Sequence, residues 1–378
     1  MDHAPKSAAK PGETVDDGKG RVFPCQSCGA DLEFHIGQQS LKCPYCGFEK
    51  QIELAADCEI VEQDLAAMLE KLKEWRSKGA GAEESHQSEV RCGGCGANVV
   101  FIGSLTSSEC PYCGTPIQRD KVHDSPQRVP VHGILPFQVP QEQARTNLSK
   151  WVRSRWFAPQ EFKKRGVEGR FNGVYLPYWT YDSMTFSRWS GERGDHYWVT
   201  VTHNNQTRQE LRTRWSSVSG THQRFFDDVL VLAVNGMRRD LMDALQPWPL
   251  QDIRPFTQEL LAGFLARTYE VELDAGFPIA KKVMDSAIHS DVCRLIGGDE
   301  QRVHWIKTRY DAITFKHLLL PVWLLAYRYH DKTYQVMVNA VTGEVQGERP
   351  YSVWKMMLAV LFVLAGVGAI VYFQQHGR

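Results

Sequence analysis

Eight cysteines fall into two sets with one spacing. Cys25, Cys28, Cys43 and Cys46 read C-x2-C-x14-C-x2-C, and Cys92, Cys95, Cys110 and Cys113 repeat it. The closing knuckles nearly coincide: Cys43-Pro44-Tyr45-Cys46-Gly47 returns as Cys110-Pro111-Tyr112-Cys113-Gly114. Each C-x2-C turn points two thiolates at one ion, and two turns complete a tetrahedron. Zinc suits such a set because its filled d shell imposes no competing geometry. Four thiolates also hold iron, so the ligands alone leave an iron site open. The expectation is two structural zinc ions, one per set. A closed four-thiolate site has no open coordination position and offers no Lewis-acid chemistry.

Other uses of these cysteines fit the sequence less well. Disulfides need an oxidising compartment, and residues 1–20 are polar, without the apolar core of a signal peptide. A thioredoxin-like pair needs a strand-to-helix setting, whereas Pro and Gly surround these knuckles. Thiols used as metal ligands point to a reducing cytosol for this part of the chain. Of the ten cysteines only Cys58 and Cys293 lie outside the sets, and they read as small buried or free thiols.

No residue pattern announces a reaction. The chain lacks a G-x4-G-K-[ST] phosphate loop, and H-E-x-x-H, G-x-S-x-G and G-x-G-x-x-G do not occur in a suitable context. His196, His203, His222, His289, His304, His317 and His330 are scattered through β-rich sequence and read as surface or core side chains. Asp227-Asp228 beside Phe226 is a pair able to bind a cation, but it reads rather as a turn or a solvated strand start. One stretch is basic and aromatic: Arg145, Lys150, Arg153, Arg155, Lys163, Lys164, Arg165 and Arg170 interleave with Trp151, Trp156 and Phe157. That composition suits nucleic acid or lipid headgroups, or a solvated helix whose tryptophans face a core.

The elements that must position the cysteines are small. A ribbon of about thirty residues buries too little apolar surface to fold alone, so a metal worth roughly 10–16 kcal/mol must stand in for a core. A flexible tail (1–20) leads to a first ribbon (21–53), in which Leu32, Phe34 and Ile36 alternate with polar residues as a strand does. An amphipathic helix (57–78) carries Leu65, Met68, Leu69, Leu72 and Trp75 at helical steps, with Asp57 as a cap. A linker (79–88) precedes the second ribbon (89–119), whose strand is Val99 to Ile102.

The largest unit spans 132–350. A helix is expected at 141–156 after Pro140, strands at 174–186, 197–203, 210–217 and 229–234, helices at 257–266 and 278–289, and a closing hairpin from 317 to 341. Strand clusters separated by helices predict an α+β domain. Within it, Leu176-Pro177-Tyr178-Trp179 is echoed by Leu320-Pro321-Val322-Trp323. The echo is short, and two related β units or coincidence would both produce it.

With 378 residues, zero formal net charge and 43% hydrophobic content, the chain is neither disordered nor a basic nucleic-acid binder overall. Residues 356–373 carry no charge, and a helix over them is about 27 Å long, close to the hydrocarbon thickness of a bilayer. Tyr351, Trp354 and Tyr372 flank or close it as interfacial anchors do. The expectation is a single transmembrane helix over 354–373, tail-anchoring the chain in the cell membrane with its bulk cytoplasmic.

These parts together resemble a family of bacterial membrane-anchored double zinc-ribbon (TFIIB-type) proteins. It is often labelled primosomal protein N′ (replication factor Y), superfamily II helicase. The resemblance rests on the eight cysteines, on Leu176 to Trp179 and on Val338 to Pro350, and covers most of the chain. The helicase motor is absent, because the phosphate loop is missing. Some relatives look like partners of phage-shock-protein-A-like and flotillin-like envelope-stress proteins, which the resemblance implies as candidate partners here. The expected function is a non-enzymatic, membrane-anchored adaptor that recruits or recognises a protein partner at the cytoplasmic face. The alternative is a replication-associated nucleic-acid binder.

Overall fold

The computed structural model describes residues 21–52 except 24 and 31, 60–77, 128–155, 171–203, 206–329 and 332–348. It also describes short strands at 15–16 and between 89 and 123, and helical positions between 354 and 368.

The first ribbon is a three-stranded antiparallel sheet, β1 (Glu33–His35), β2 (Ser40–Lys42) and β3 (Glu49–Lys50). Helix α1 (Leu65–Ser77) follows, capped by Asp64, whose carboxylate accepts the Ala67 amide at 2.7 Å. Next come β4 (Gly133–Ile134), α2 (Gln141–Ser154) and two long strands, β5 (Phe171–His203) and β6 (Gln206–Leu232). After β7 (Leu265–Ala266) come α3 (Leu273–Ile296), the long strand β8 (Glu300–Tyr329), β9 (Lys332–Asn339) and β10 (Val345–Gly347).

One large sheet holds β4 to β10. Its spine is β5 antiparallel to β8, centred on the pair Leu176↔Leu320, with Tyr175↔Pro321 and Pro177↔Leu319 on either side. The two echoed tetrapeptides therefore face each other across a local two-fold axis. The hydrogen bonds repeat with the same symmetry. Trp179 Nε1 donates to the Val271 carbonyl (2.9 Å), just before the cap of α3, and Trp323 Nε1 donates to the Val139 carbonyl (2.8 Å), just before the cap of α2. The Ala233 amide bonds Pro177, as the Ala340 amide bonds Pro321. The parallel pairing of β4 with β8 matches that of β7 with β5. The unit β4-α2-β5-β6 thus recurs as β7-α3-β8-β9.

Each helix covers strands of the other unit. Ala144, Leu148 and Val152 of α2 pack in a cluster with Trp323, Val336 and Val338 of β8 and β9. Ala280, Met284 and Ile288 of α3 pack with Trp179, Tyr181 and Phe226 of β5 and β6, joined by Leu65, Met68 and Leu72 of α1. On the opposite face Met237, Met242, Leu245 and Trp248 close over Leu176, Tyr178, Leu320 and Val322. The helical stripe expected from Leu65 to Trp75 is therefore core packing.

Two expectations need correction. The body is mostly β-sheet rather than the mixed α+β domain expected. The strands expected at 174–186 and 197–203 are one strand, those at 210–217 and 229–234 are another, and β8 begins well before 317. The helix expected at 257–266 is a short 3-10 turn (Gln258–Leu261) followed by β7. Its apolar residues have other duties: Leu260 and Leu261 are buried, and the Phe264 ring stacks on Phe137 at 4.0 Å.

The second correction concerns the C-terminal span. Among the described residues, no helix is long and apolar enough to cross a membrane. The described helical positions lie between 354 and 368. The expectation of a tail-anchored, single-pass membrane protein rested on that span and is overturned. The tail (1–20, save the strand positions 15–16), the cap Asp57 and the linker (79–88) lie outside the described residues.

Candidate metal centre

Each knuckle of the first ribbon is built by the same backbone turn. The Gly29 amide donates to the Cys25 carbonyl and the Cys25 amide to Ala30. Likewise the Gly47 amide donates to Cys43 and the Cys43 amide to Phe48. Both turns close through a residue in the left-handed region, Gly29 at φ 76° and Gly47 at φ 74°, which glycine adopts without steric cost. The sequence fold-back thus needs C-x2-C-G, and both knuckles have it.

The turns bring four thiols together. All four sulfurs lie within 4.8 Å of one another. Cys25 Sγ stands 3.5 Å from Cys46 Sγ, and Cys28 Sγ 3.5 Å from Cys43 Sγ. A tetrahedron with metal–sulfur bonds of about 2.3 Å has edges of about 3.8 Å, so the set is already near coordination distance. Cys25 and Cys43 are buried, while Cys28 and Cys46 reach the surface. These four cysteines can bind one metal ion.

The electrostatics also call for a cation. Backbone amides of Cys46 and Tyr45 pull the Cys43 thiol down to about 6, against the desolvation that raises it. Cys46 accepts the Phe48 amide, which lowers it. Desolvation and the sulfurs of Cys25, Cys28 and Cys43 outweigh that bond and push it up to about 12. Cys25 and Cys43 are shifted down while Cys28 and Cys46 are shifted up, so full ionisation of the set is opposed. A divalent ion removes that opposition and lets all four ionise.

The ribbon is fastened to the body. Phe23, Leu32, Phe34 and Leu41 enter the same cluster as Ile134, Phe137, Tyr175 and Leu260, each buried side chain contributing roughly 1.5–3 kcal/mol. The Phe34 amide donates to Ala262 (3.1 Å), and Gln39 Nε2 donates to Phe137 (2.8 Å). Tyr45, between the two cysteines of the second knuckle, is 83% exposed.

Cys92, Cys95, Cys110 and Cys113 lie outside the described residues. The strands around them are described. Glu89–Arg91 pairs with Asn98–Val100, Ser107–Glu109 pairs with Pro116–Gln118, and Val100 joins the large sheet opposite Ala266 of β7. In the basic stretch, Trp151 packs against the core beside Leu148 and Val152, with the Arg155 guanidinium 4.7 Å over its ring. Residues 156–170 lie outside the described residues.

No family model matches this chain, and no solved structure matches it. One curated protein does. The chain is 25% identical over 344 residues to "Uncharacterized protein YdjG" of Bacillus subtilis (strain 168), covering 87% of this chain and 90% of that protein. Likeness over that share of both chains extends beyond the cysteine modules into the β body.

Sequence reasoning missed one constellation. Carboxylate oxygens of Glu62, Asp182 and Asp227 lie within 4.8 Å of one another. They gather where β5 bulges between Tyr181 and Ser183 and Asp228 adopts φ 52°. Asp182 is held by the Asp228 amide and Thr314 Oγ1, while Lys316 Nζ bridges Glu62 (3.2 Å) and Asp228 (2.8 Å). Burial pushes the Asp182 carboxyl up to about 6. Separations of tens to hundreds of residues hid the cluster; only the Asp227-Asp228 doublet marked it.

Proposed function

We infer that this chain is a non-enzymatic adaptor: a zinc-clasped ribbon, fixed to a β scaffold, that presents its second knuckle to a protein partner. Zinc fits the first set because four thiolates at near-tetrahedral spacing satisfy it completely. The second set, with identical spacing, takes a second structural zinc ion. The observation that carries the reading is the ribbon's orientation, with its apolar side sealed against the sheet and Tyr45 left 83% exposed on the knuckle. An exposed aromatic on a metal-rigidified turn is the kind of anchor that interfaces use, because little conformational entropy is lost on docking. The resemblance described above makes phage-shock-protein-A-like and flotillin-like proteins the first partners to test.

Deleting residues 1–120 would be a poor test, because it uncovers Phe137 and Phe264 and removes α1 from the core. A point change is cleaner. The Tyr45→Ser chain should keep its metal content and melting temperature yet lose capture of such a partner in pull-downs. Undiminished capture by Tyr45→Ser would exclude the knuckle as the contact.

A further inference from the structure

β5, β6 and β8 form a three-stranded sheet with two unlike faces. One face is roofed by α3, through the hydrogen bond of Tyr310 Oη to Asp285 and the contacts of His222 (3.1 Å) and Arg224 (2.8 Å) to Asp291. The strand period of two turns the intervening residues the other way. There lie Phe186 and Arg188 on β5, Phe225 on β6, and Trp305, Lys307 and Arg309 on β8, and among the described residues no element covers them. Phe225 is 57% exposed and Trp305 44%.

Charge on this face is arranged unusually. Arg188 and Lys307 stand directly opposite each other in the register of β5 and β8. Like charges in directly opposed positions destabilise a sheet, and neither has an acidic partner among the described residues. Three acidic side chains on this side of the sheet are already engaged. Asp311 holds Arg309 at 2.8 Å, Glu300 holds His196 at 2.8 Å, and Glu192 lies 3.7 Å from both Arg302 and His304. Cations also lie over the rings: Lys307 above Trp305, Arg309 above Phe186 and Arg302 above Trp215 (3.7 Å).

We propose that this open face, carrying Phe186, Arg188, Phe225, Trp305, Lys307 and Arg309, binds single-stranded nucleic acid. Trp305, Lys307 and Arg309 follow one another along β8 at about 7 Å, so one ring and two cations lie in a row along the strand. An unpaired cation doublet is satisfied by bridging phosphates, and the exposed Phe225 and Trp305 rings offer stacking platforms to any base. A second copy of this chain fits worse, because a two-fold contact brings the cation doublet onto itself. A lipid surface fits worse too, because Phe186 lies beneath a guanidinium rather than projecting to insert. The site is separate from the ribbon and does not depend on it.

The test is fluorescence anisotropy of the full chain with a labelled oligothymidylate of about 20 nucleotides, beside co-sedimentation with phosphatidylserine–phosphatidylcholine vesicles. Binding should weaken steeply between about 50 and 200 mM salt. Lys307→Gln and Arg188→Gln should each flatten the log–log salt slope by roughly 0.7. Trp305→Ala should weaken binding about five- to hundredfold. Because the doublet repels itself, Lys307→Gln should leave the melting temperature unchanged or higher while lowering affinity, a combination that a structural role does not produce. If Arg188→Gln lowers the melting temperature, Arg188→Lys decides: affinity regained with the charge supports the site, and affinity still lost overturns it. The proposal is also overturned by no oligonucleotide binding at low salt, by binding indifferent to these changes, or by capture on vesicles alone.

Discussion

Cys43 ties the metal site to the body, because the strand that follows Leu41 into the sheet cluster leads directly into its knuckle. Elemental analysis of protein purified in reducing buffer should find about two zinc ions per chain, and Cys43→Ser should remove one of them. Since Phe34 and Leu41 seal the sheet, that loss should also expose the neighbourhood of Phe137 to hydrogen exchange, while metal at the second set stays bound. Zero metal, with all eight thiols freely titratable, would remove the zinc reading. A second residue sets a pH limit. His317 is buried beside Trp179 and Tyr269, and burial pushes its imidazole down to about 4. The unfolded chain takes up this proton near pH 6.5, whereas the folded chain resists it until about pH 4. Stability should therefore be full above about pH 6.5 and decline as pH falls towards 4, by roughly 3 kcal/mol from this group. Urea titrations of wild type and His317→Gln at several pH values check this, and the variant should show the shallower decline.

Helices and strands differ in how plainly they were written. The knuckles, α2, the central part of α3 and the closing hairpin are visible in the sequence, because local spacing alone builds each of them. The length of β5 is not. Around Arg188 to Gly194 it alternates polar residues and carries Gly191 and Gly194, a composition that resembles a turn. Only pairing on both sides keeps it extended. The polar run of β6 between Gln206 and Gln223, half of which faces no core, is held by its pairing with β5 alone among the described residues. Leu260, Leu261 and Phe264 mimic helical spacing, yet they serve the floor on which the ribbon sits. Two changes test the packing of α3 on β5. Trp179→Phe leaves the buried Val271 carbonyl without its donor and should cost about 1–3 kcal/mol in chemical denaturation. Gly276→Ala should also destabilise the fold. Helix propensity favours alanine by about 1 kcal/mol, but the new methyl meets the Tyr181 hydroxyl and the Trp179 ring, and such overpacking typically costs about 1–3 kcal/mol.

At the scale of the whole molecule, the short echo around Leu176 and Leu320 proves to be the axis of the sheet. It was faint in the sequence because the repeated unit is defined by hydrogen bonds to main-chain carbonyls, which many side chains permit. The exchange across that axis has a consequence for assembly. Trp179 fastens the helix of the second unit and Trp323 that of the first, so neither unit owns a finished core. The chain behaves as an intramolecular dimer with swapped arms. Cutting the polypeptide after Arg238, in the exposed connection beyond β6, should leave two fragments that travel as one particle in gel filtration and melt in a single transition. A fragment holding only β7 to β10 should seek a second copy of itself, Leu320 against Leu320, as the nearest substitute for its missing sibling.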